Sequence, residues 1–155
     1  MKIEIKKLEQ FLNEANKSTY ANKDASKAIS TRLKSEDYHF EKGNLIYHDT
    51  YFGGKDFIGG EIVYENNVPV WGMNYYGYVL ESSENEKDVY DFLRKALMQE
   101  YSDIIPVRGA KKYTEGEWEY KNIPDGTLER FFGVEQIYRN GKLVYCADYH
   151  GGFIQ

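Results

Sequence analysis

Apolar residues at Ile5, Leu8, Phe11, Leu12 and Ala15 recur at the i, i+3, i+4, i+7 spacing of a helix with one buried face, which predicts a helix over 3–15. Val89, Phe92, Leu93, Ala96 and Leu97 predict a second over 88–101, with Pro106 beyond it as a stop. From about Tyr38 to Leu80, and again from Tyr113 onward, the period changes to two and Val, Ile, Tyr, Phe and Trp dominate, as strands require. Asn66-Asn67 and Asn140-Gly141 sit between such runs and read as two-residue hairpin turns, because these residues tolerate positive φ. Residues 16–37 are rich in Lys, Ser, Asn, Ala and Thr, have little period of either kind, and read as a long surface loop and candidate lid.

Residues 57–80 align without a gap on residues 131–154 at a constant offset of 74, with eight of 24 pairs identical, among them Gly59/Gly133, Glu61/Glu135, Tyr64/Tyr138 and Tyr75/Tyr149. The helices match as well, Phe11-Leu12-x-x-Ala15 against Phe92-Leu93-x-x-Ala96. The expected architecture is α+β. Two repeated units, about 1–80 and 81–155, each a helix followed by antiparallel strands, share one curved antiparallel sheet with the helices on one face. A half of this size is too small to bury its sheet face alone, so residues 1–155 are read as a single domain.

Pairing each hairpin outward from its turn assigns side chains to faces. The second hairpin then has an apolar face of Phe132, Val134, Gln136, Tyr138, Leu143, Tyr145, Ala147 and Tyr149, expected to lie under the helices. The other face carries Phe131, Gly133, Glu135, Ile137, Val144, Cys146, Asp148 and His150, and is expected to be open. The first hairpin divides in the same way, with Trp71, Met73 and Tyr75 beneath the helices and Glu61, Asn74 and Tyr76 on the open side.

Composition narrows the function classes. The chain has 155 residues, 41% hydrophobic and 16% aromatic, and a net charge of −5, an acidic balance that disfavours phosphate-backbone binding and so argues against nucleic acid as a partner. One cysteine, Cys146, excludes an intramolecular disulfide and multi-cysteine metal sites, and points to a reducing, cytoplasmic compartment. The start alternates charge with apolar residues and shows neither a signal peptide nor a membrane span.

The candidate ligand-binding residues are Glu61, Asn74, Tyr76, Glu135, Asp148 and His150 on the supposed open face, where small residues beside carboxylates leave room for a small organic molecule. A purely structural role for the two glutamates is the competing reading. His150, with Glu135 or Asp148 as its carboxylate, would be the acid/base pair of a small hydrolase or isomerase, although no nucleophile follows from the sequence. His39 and His48 lack metal-ligand spacing, so no metal and no cofactor is expected. Cys146 reads as a small core residue, Arg108 as an exposed loop arginine, and Tyr51 as a further candidate. The acidic run 84–88 reads as a helix N-terminus. A third possibility is an interaction module in which the open face or an edge strand docks a partner or a second copy, giving a homodimer.

The runs Tyr51-Phe52-Gly53-Gly54-x-x-Phe57-x-Gly59-x-Glu61, Pro69-Val70-Trp71-x-Met73-Asn74-Tyr75-Tyr76-Gly77 and Tyr149-His150-Gly151-Gly152, together with Phe11-Leu12 and Thr19-Tyr20-Ala21, resemble the motifs of a known family. Over nearly its whole length the chain resembles this bacterial and archaeal family, described only as a domain of unknown function. Its members occur alone or behind an XRE-type helix-turn-helix domain, which implies effector sensing or interaction in the fused forms. Met1 opens directly on the first helix, so the DNA-binding half is expected to be absent here. The resemblance carries over no catalytic residues.

Overall fold

The computed structural model describes residues 3–80 and 85–155. Two helices, α1 (Ile5–Ser18) and α2 (Glu86–Leu97), each precede a set of four strands. These are β1 (Glu36–Lys42), β2 (Leu45–Gly53), β3 (Asp56–Glu65) and β4 (Val68–Val79), then β5 (Lys112–Glu115), β6 (Trp118–Thr127), β7 (Arg130–Arg139) and β8 (Lys142–Phe153). All eight form one antiparallel sheet in the order β1-β2-β3-β4-β8-β7-β6-β5, so β4 and β8 meet at its centre.

Both helices follow from their apolar stripes, with Leu8, Phe11, Leu12 and Ala15 buried on α1 and Val89, Phe92, Leu93, Ala96 and Leu97 on α2. The Asn85 side chain accepts a hydrogen bond from the Lys87 amide at 3.1 Å and caps α2, placing Glu86 and Asp88 in the first turn, where acidic side chains offset the helix dipole. Glu84, at the start of the acidic run, lies outside the described residues. The segment expected as a loop over 16–37 is shorter, because α1 extends to Ser18 and β1 begins at Glu36.

Both hairpin turns form as the sequence requires, with φ of 52° and 65° at Asn66 and Asn67 and of 49° and 76° at Asn140 and Gly141. Beyond them, pairing departs from the simple extrapolation. A β-bulge shifts the register between Val63 and Tyr64, so that Tyr64 faces Pro69 but Val63 faces Trp71; another lies between Ile137 and Tyr138. Val70 and Val144 are the extra residues, and each is buried beside a buried aromatic neighbour, Trp71 or Tyr145.

One extra residue inverts the facing of one strand against its partner. The expected faces therefore hold for β4 and β8 but are reversed for β3 and β7. The buried face comprises Phe57, Gly59, Glu61 and Val63 with Trp71, Met73 and Tyr75, and Phe131, Gly133, Glu135 and Ile137 with Tyr145, Ala147 and Tyr149. The opposite face carries Ile58, Tyr76 and Phe132, of which Phe132, expected beneath a helix, is 62% exposed.

The apolar stripe of α1 shares a buried cluster with Leu45, Tyr47, Val63, Trp71, Met73 and Tyr75. That of α2 shares one with Val79, Tyr120, Ile137, Val144 and Tyr145. No described helix is long and apolar enough to cross a membrane.

Candidate functional site

The bulges separate the six candidate residues. Glu61 and Glu135 are 5% and 0% exposed on the buried face. Asn74, Tyr76, Asp148 and His150 lie on the opposite face, where Asn74 pairs with His150 and Tyr76 with Asp148. No pocket on an open polar face gathers all six, and His150 and Glu135 point to opposite sides of the sheet. Cys146, read as a small core residue, is only half-buried and faces Gln136.

A row of polar groups crosses the buried face instead. Asp49 on β2 stands opposite Glu61 on β3, and Asn122 on β6 stands opposite Glu135 on β7. The Tyr75 hydroxyl donates to Asp49 Oδ1 at 2.6 Å, and the Tyr149 hydroxyl donates to Asn122 Oδ1 at 2.6 Å. Each tyrosine crosses a glycine of the neighbouring strand. A Cβ on Gly59 would meet the Tyr75 hydroxyl at 2.5 Å, and one on Gly133 would meet the Tyr149 ring at 2.3 Å. The strand glycines thus make room for tyrosine hydroxyls rather than for a ligand on an open surface.

Glu135 is saturated with donors. Arg108 Nε reaches Oε2 at 3.0 Å and Nη2 reaches Oε1 at 2.8 Å, while the Tyr120 and Tyr145 hydroxyls donate at 2.6 and 2.8 Å. Arg108, expected in an exposed loop, is largely withdrawn from solvent, its side chain 9% exposed. Its segment is pinned by the Gly109 amide donating to the Tyr120 hydroxyl and by Asn122 Nδ2 donating to the Gly109 carbonyl. Burial works against the Arg108 charge, but the Glu135 carboxylate outweighs it and holds the guanidinium well above its ordinary pKa.

Glu61 has no such partner. Its neighbours are the Tyr47 hydroxyl and the Asp49 carboxyl, and its Oε2 is buried without a hydrogen bond. Burial, then repulsion from Asp49, pushes the Glu61 carboxyl up, against a smaller opposing pull from Arg108. Burial likewise raises Asp49, although the Tyr75 hydrogen bond and Arg108 oppose it. Three carboxyl groups thus lie near the Arg108 guanidinium, and burial together with mutual repulsion favours the protonated form of the Asp49–Glu61 pair in the folded state.

Above this pair lies a cavity of about 320 Å³. Asp49, Glu61, Tyr75 and Arg108 line it from the sheet side, and Tyr20, Tyr51, Phe57 and Tyr90 supply aromatic walls. Thr19 and Ala21, just past α1, also line it, as do Arg94 and Leu97 of α2 and the charged side chains of Glu86, Lys87 and Asp91. Arg94 stacks on Tyr20, its guanidinium carbon 4.5 Å from the ring centroid, and its Nε donates to the Tyr20 carbonyl at 3.3 Å. Asp49, Tyr47, Tyr75 and Arg108 were not among the candidates. For Tyr47 and Asp49 the signal is Tyr47-x-Asp49 against Tyr120-x-Asn122, which continues the sequence match of 57–80 to 131–154 after a one-residue gap.

A second polar cluster lies on the other face. Fully buried Asp37 accepts from the hydroxyls of Ser35, Thr31 (2.6 Å) and Thr50 (2.8 Å) and from His48 Nε2 (2.7 Å). Burial opposes its charge, but these hydrogen bonds together hold the carboxyl well below the usual range. His48 Nδ1 lies 3.3 Å from His39 Nδ1. This cluster pins the segment read as a lid onto β1 and β2. Among the described residues, no three His, Cys, Asp or Glu side chains converge as metal ligands.

The fold and this polar row define an α+β domain with one eight-stranded antiparallel sheet and a charged, aromatic-walled cavity. The chain belongs to the family described as Domain of unknown function (DUF5680), whose model matches residues 49–154. Asp49, Glu61, Arg108 and Glu135 all fall within the matched segment. Comparison with curated proteins and with solved structures finds no match.

Proposed function

We propose that this domain binds a small organic molecule in the cavity over Asp49 and Glu61, as a sensor-type module. The observation that carries this reading is Glu61, which lines an aromatic-walled cavity and whose Oε2 is buried without a hydrogen-bond partner. An unsatisfied buried acceptor costs about 1–3 kcal/mol, and a ligand donor would recover it. The reading includes a duplicated chain, both of whose helices cover the same sheet face. It is supported by the 74-residue spacing that relates β3 to β7, β4 to β8, and one bulge to the other. The lone cysteine supports a reducing, cytoplasmic setting.

A thermal-shift screen across amines, carboxylic acids, nucleosides and sugars should yield a compound that raises the melting temperature. At 100 times its dissociation constant such a ligand adds about 2.7 kcal/mol of stability. The shift should disappear in Ala21→Trp, which fills the cavity, provided circular dichroism shows an intact fold. If no class shifts the protein, or the shift is unchanged in Ala21→Trp, this reading is wrong.

A second reading rests on the opposite face. Ile58, Tyr76 and Ile123 stand in one row across β3, β4 and β6, interrupted on β8 by the exposed carboxylate of Asp148, with Phe132 close by, and these four apolar and aromatic side chains are exposed. We propose that this apolar strip docks a second copy of the chain. Light scattering should then give a dimer mass that Phe132→Glu reduces to that of a monomer; a monomer at all concentrations tested would remove it.

A further inference from the structure

Glu61 and Glu135 lie 74 residues apart at corresponding places in β3 and β7, and their surroundings match up to one point. Each faces a polar residue on the outer neighbouring strand, Asp49 or Asn122. Each has a tyrosine beside it, Tyr47 or Tyr120. At Glu135 the remaining acceptor capacity is met by the Arg108 fork and the Tyr145 hydroxyl. At Glu61 the residue corresponding to Tyr145 is Trp71, whose indole N–H is committed to the Leu128 carbonyl at 3.0 Å. No guanidinium is bonded to Glu61; its Oε2 is buried and bare, and the residue lines the cavity.

We propose that the ligand of this cavity carries a planar N–H-donating cation, a guanidinium, an amidinium or a ring-protonated 2-amino heterocycle, on an aromatic body, and that Glu61 receives it as Glu135 receives Arg108. This rests on the small-molecule reading above and names its ligand class. A planar fork of N–H donors is the group that satisfies both oxygens of a carboxylate at once. The walls suit its flat faces, because Tyr20, Tyr51, Phe57 and Tyr90 offer π surfaces that attract a cation. Charge agrees: Arg108 is engaged by Glu135, which leaves Asp49 and Glu61 without a cation of their own. Of the two further cations on the cavity wall, Arg94 is stacked on Tyr20 and Lys87 is paired with Asp91. A cation at Glu61 also favours the ionised carboxylate, so binding near neutral pH releases a proton from the Asp49–Glu61 pair.

The test is isothermal titration calorimetry of the full chain at pH 7 with benzamidine, phenylguanidine and 2-aminobenzimidazole, against benzamide and benzoate. At least one of the three cations should bind, and benzamide and benzoate should bind at least tenfold more weakly. Its apparent enthalpy should change between phosphate and Tris buffers in the sense of proton release, and Glu61→Gln should weaken it at least tenfold. Glu61→Gln is near-isosteric, and the buffer comparison on the unaltered protein stands independently of that variant. The inference is overturned if none of the three cations binds, if benzamide or benzoate binds as tightly, if no proton is released, or if Glu61→Gln binds the cation unchanged. A carboxylate or neutral ligand whose binding Ala21→Trp abolishes would overturn the ligand class and leave the cavity reading standing. Silence across all classes in the thermal screen would remove both.

Discussion

Replacing Arg108 with methionine should lower the free energy of unfolding by about 3–5 kcal/mol, because it strands a buried carboxylate that has lost its counter-charge. Glu135 is fully buried, and two of its four donors are guanidinium nitrogens. The tyrosine hydroxylic donors that remain, Tyr120 and Tyr145, do not neutralise it. Urea denaturation checks this: the midpoint should fall with little change in slope, as expected for lost stability without a change in exposed surface. Arg108→Met combined with Glu135→Gln should recover most of the loss, since removing both charges takes away the unpaired ion. A single variant within about 1 kcal/mol of the parent would mean that water reaches and screens the pair.

Stability should fall as pH rises from about 5 to about 9. Burial pushes Asp49 up from 3.8 to about 7 and Glu61 up from 4.5 to about 8. The folded state therefore binds more protons than the unfolded state throughout that interval, and the stabilisation, complete below the unfolded pKa values, is lost through the folded ones. Each unit of separation corresponds to about 1.4 kcal/mol, and the two groups titrate as a pair, so the expected loss is on the order of a few kcal/mol. Glu61→Gln should flatten the upper part of the profile and exceed the parent in stability at pH 8. Asp37 works in the other direction. Its hydrogen bonds hold its carboxyl low, so the stability it contributes is present above its unfolded pKa of 3.8 and fades as pH falls further. The maximum should lie near pH 4–5, and denaturation midpoints measured from pH 3 to 9 read the whole curve. A profile rising toward pH 8 would place Glu61 in contact with water.

What the sequence discloses and what it withholds divide at identifiable residues. The apolar stripes of both helices, the Asn66-Asn67 and Asn140-Gly141 turns and the strand-rich segments were legible because each is a local pattern read within one element. Facing was not, because it is inherited along a strand from the turn and a single extra residue cancels it. Val70-Trp71 and Val144-Tyr145 hold adjacent apolar pairs that break the alternation at the bulges, a local hint of both inversions. The reading that placed Trp71, Tyr75, Tyr145 and Tyr149 inside was sound, whereas the one that placed Glu61 and Glu135 outside failed at this step. Arg108 failed differently. Its burial depends on Glu135, 27 positions away, and on Gly109 clamping Tyr120 and Asn122. Nothing in Pro106-Val107-Arg108-Gly109 by itself distinguishes such an arginine from a solvated one.

The central position of β4 and β8 has a kinetic consequence. Within β1–β4 and within β5–β8 every pairing is between consecutive strands, so each meander can assemble from near neighbours in the chain. The seam instead joins Trp71 to Phe153 and Val79 to Tyr145, at sequence separations that slow the search for contact. Until it closes, two twelve-residue strands stand with bare hydrogen-bonding edges at the same time. Each is a template for the corresponding strand of another molecule, so crowded refolding exposes this protein to exchange of halves between chains at that junction.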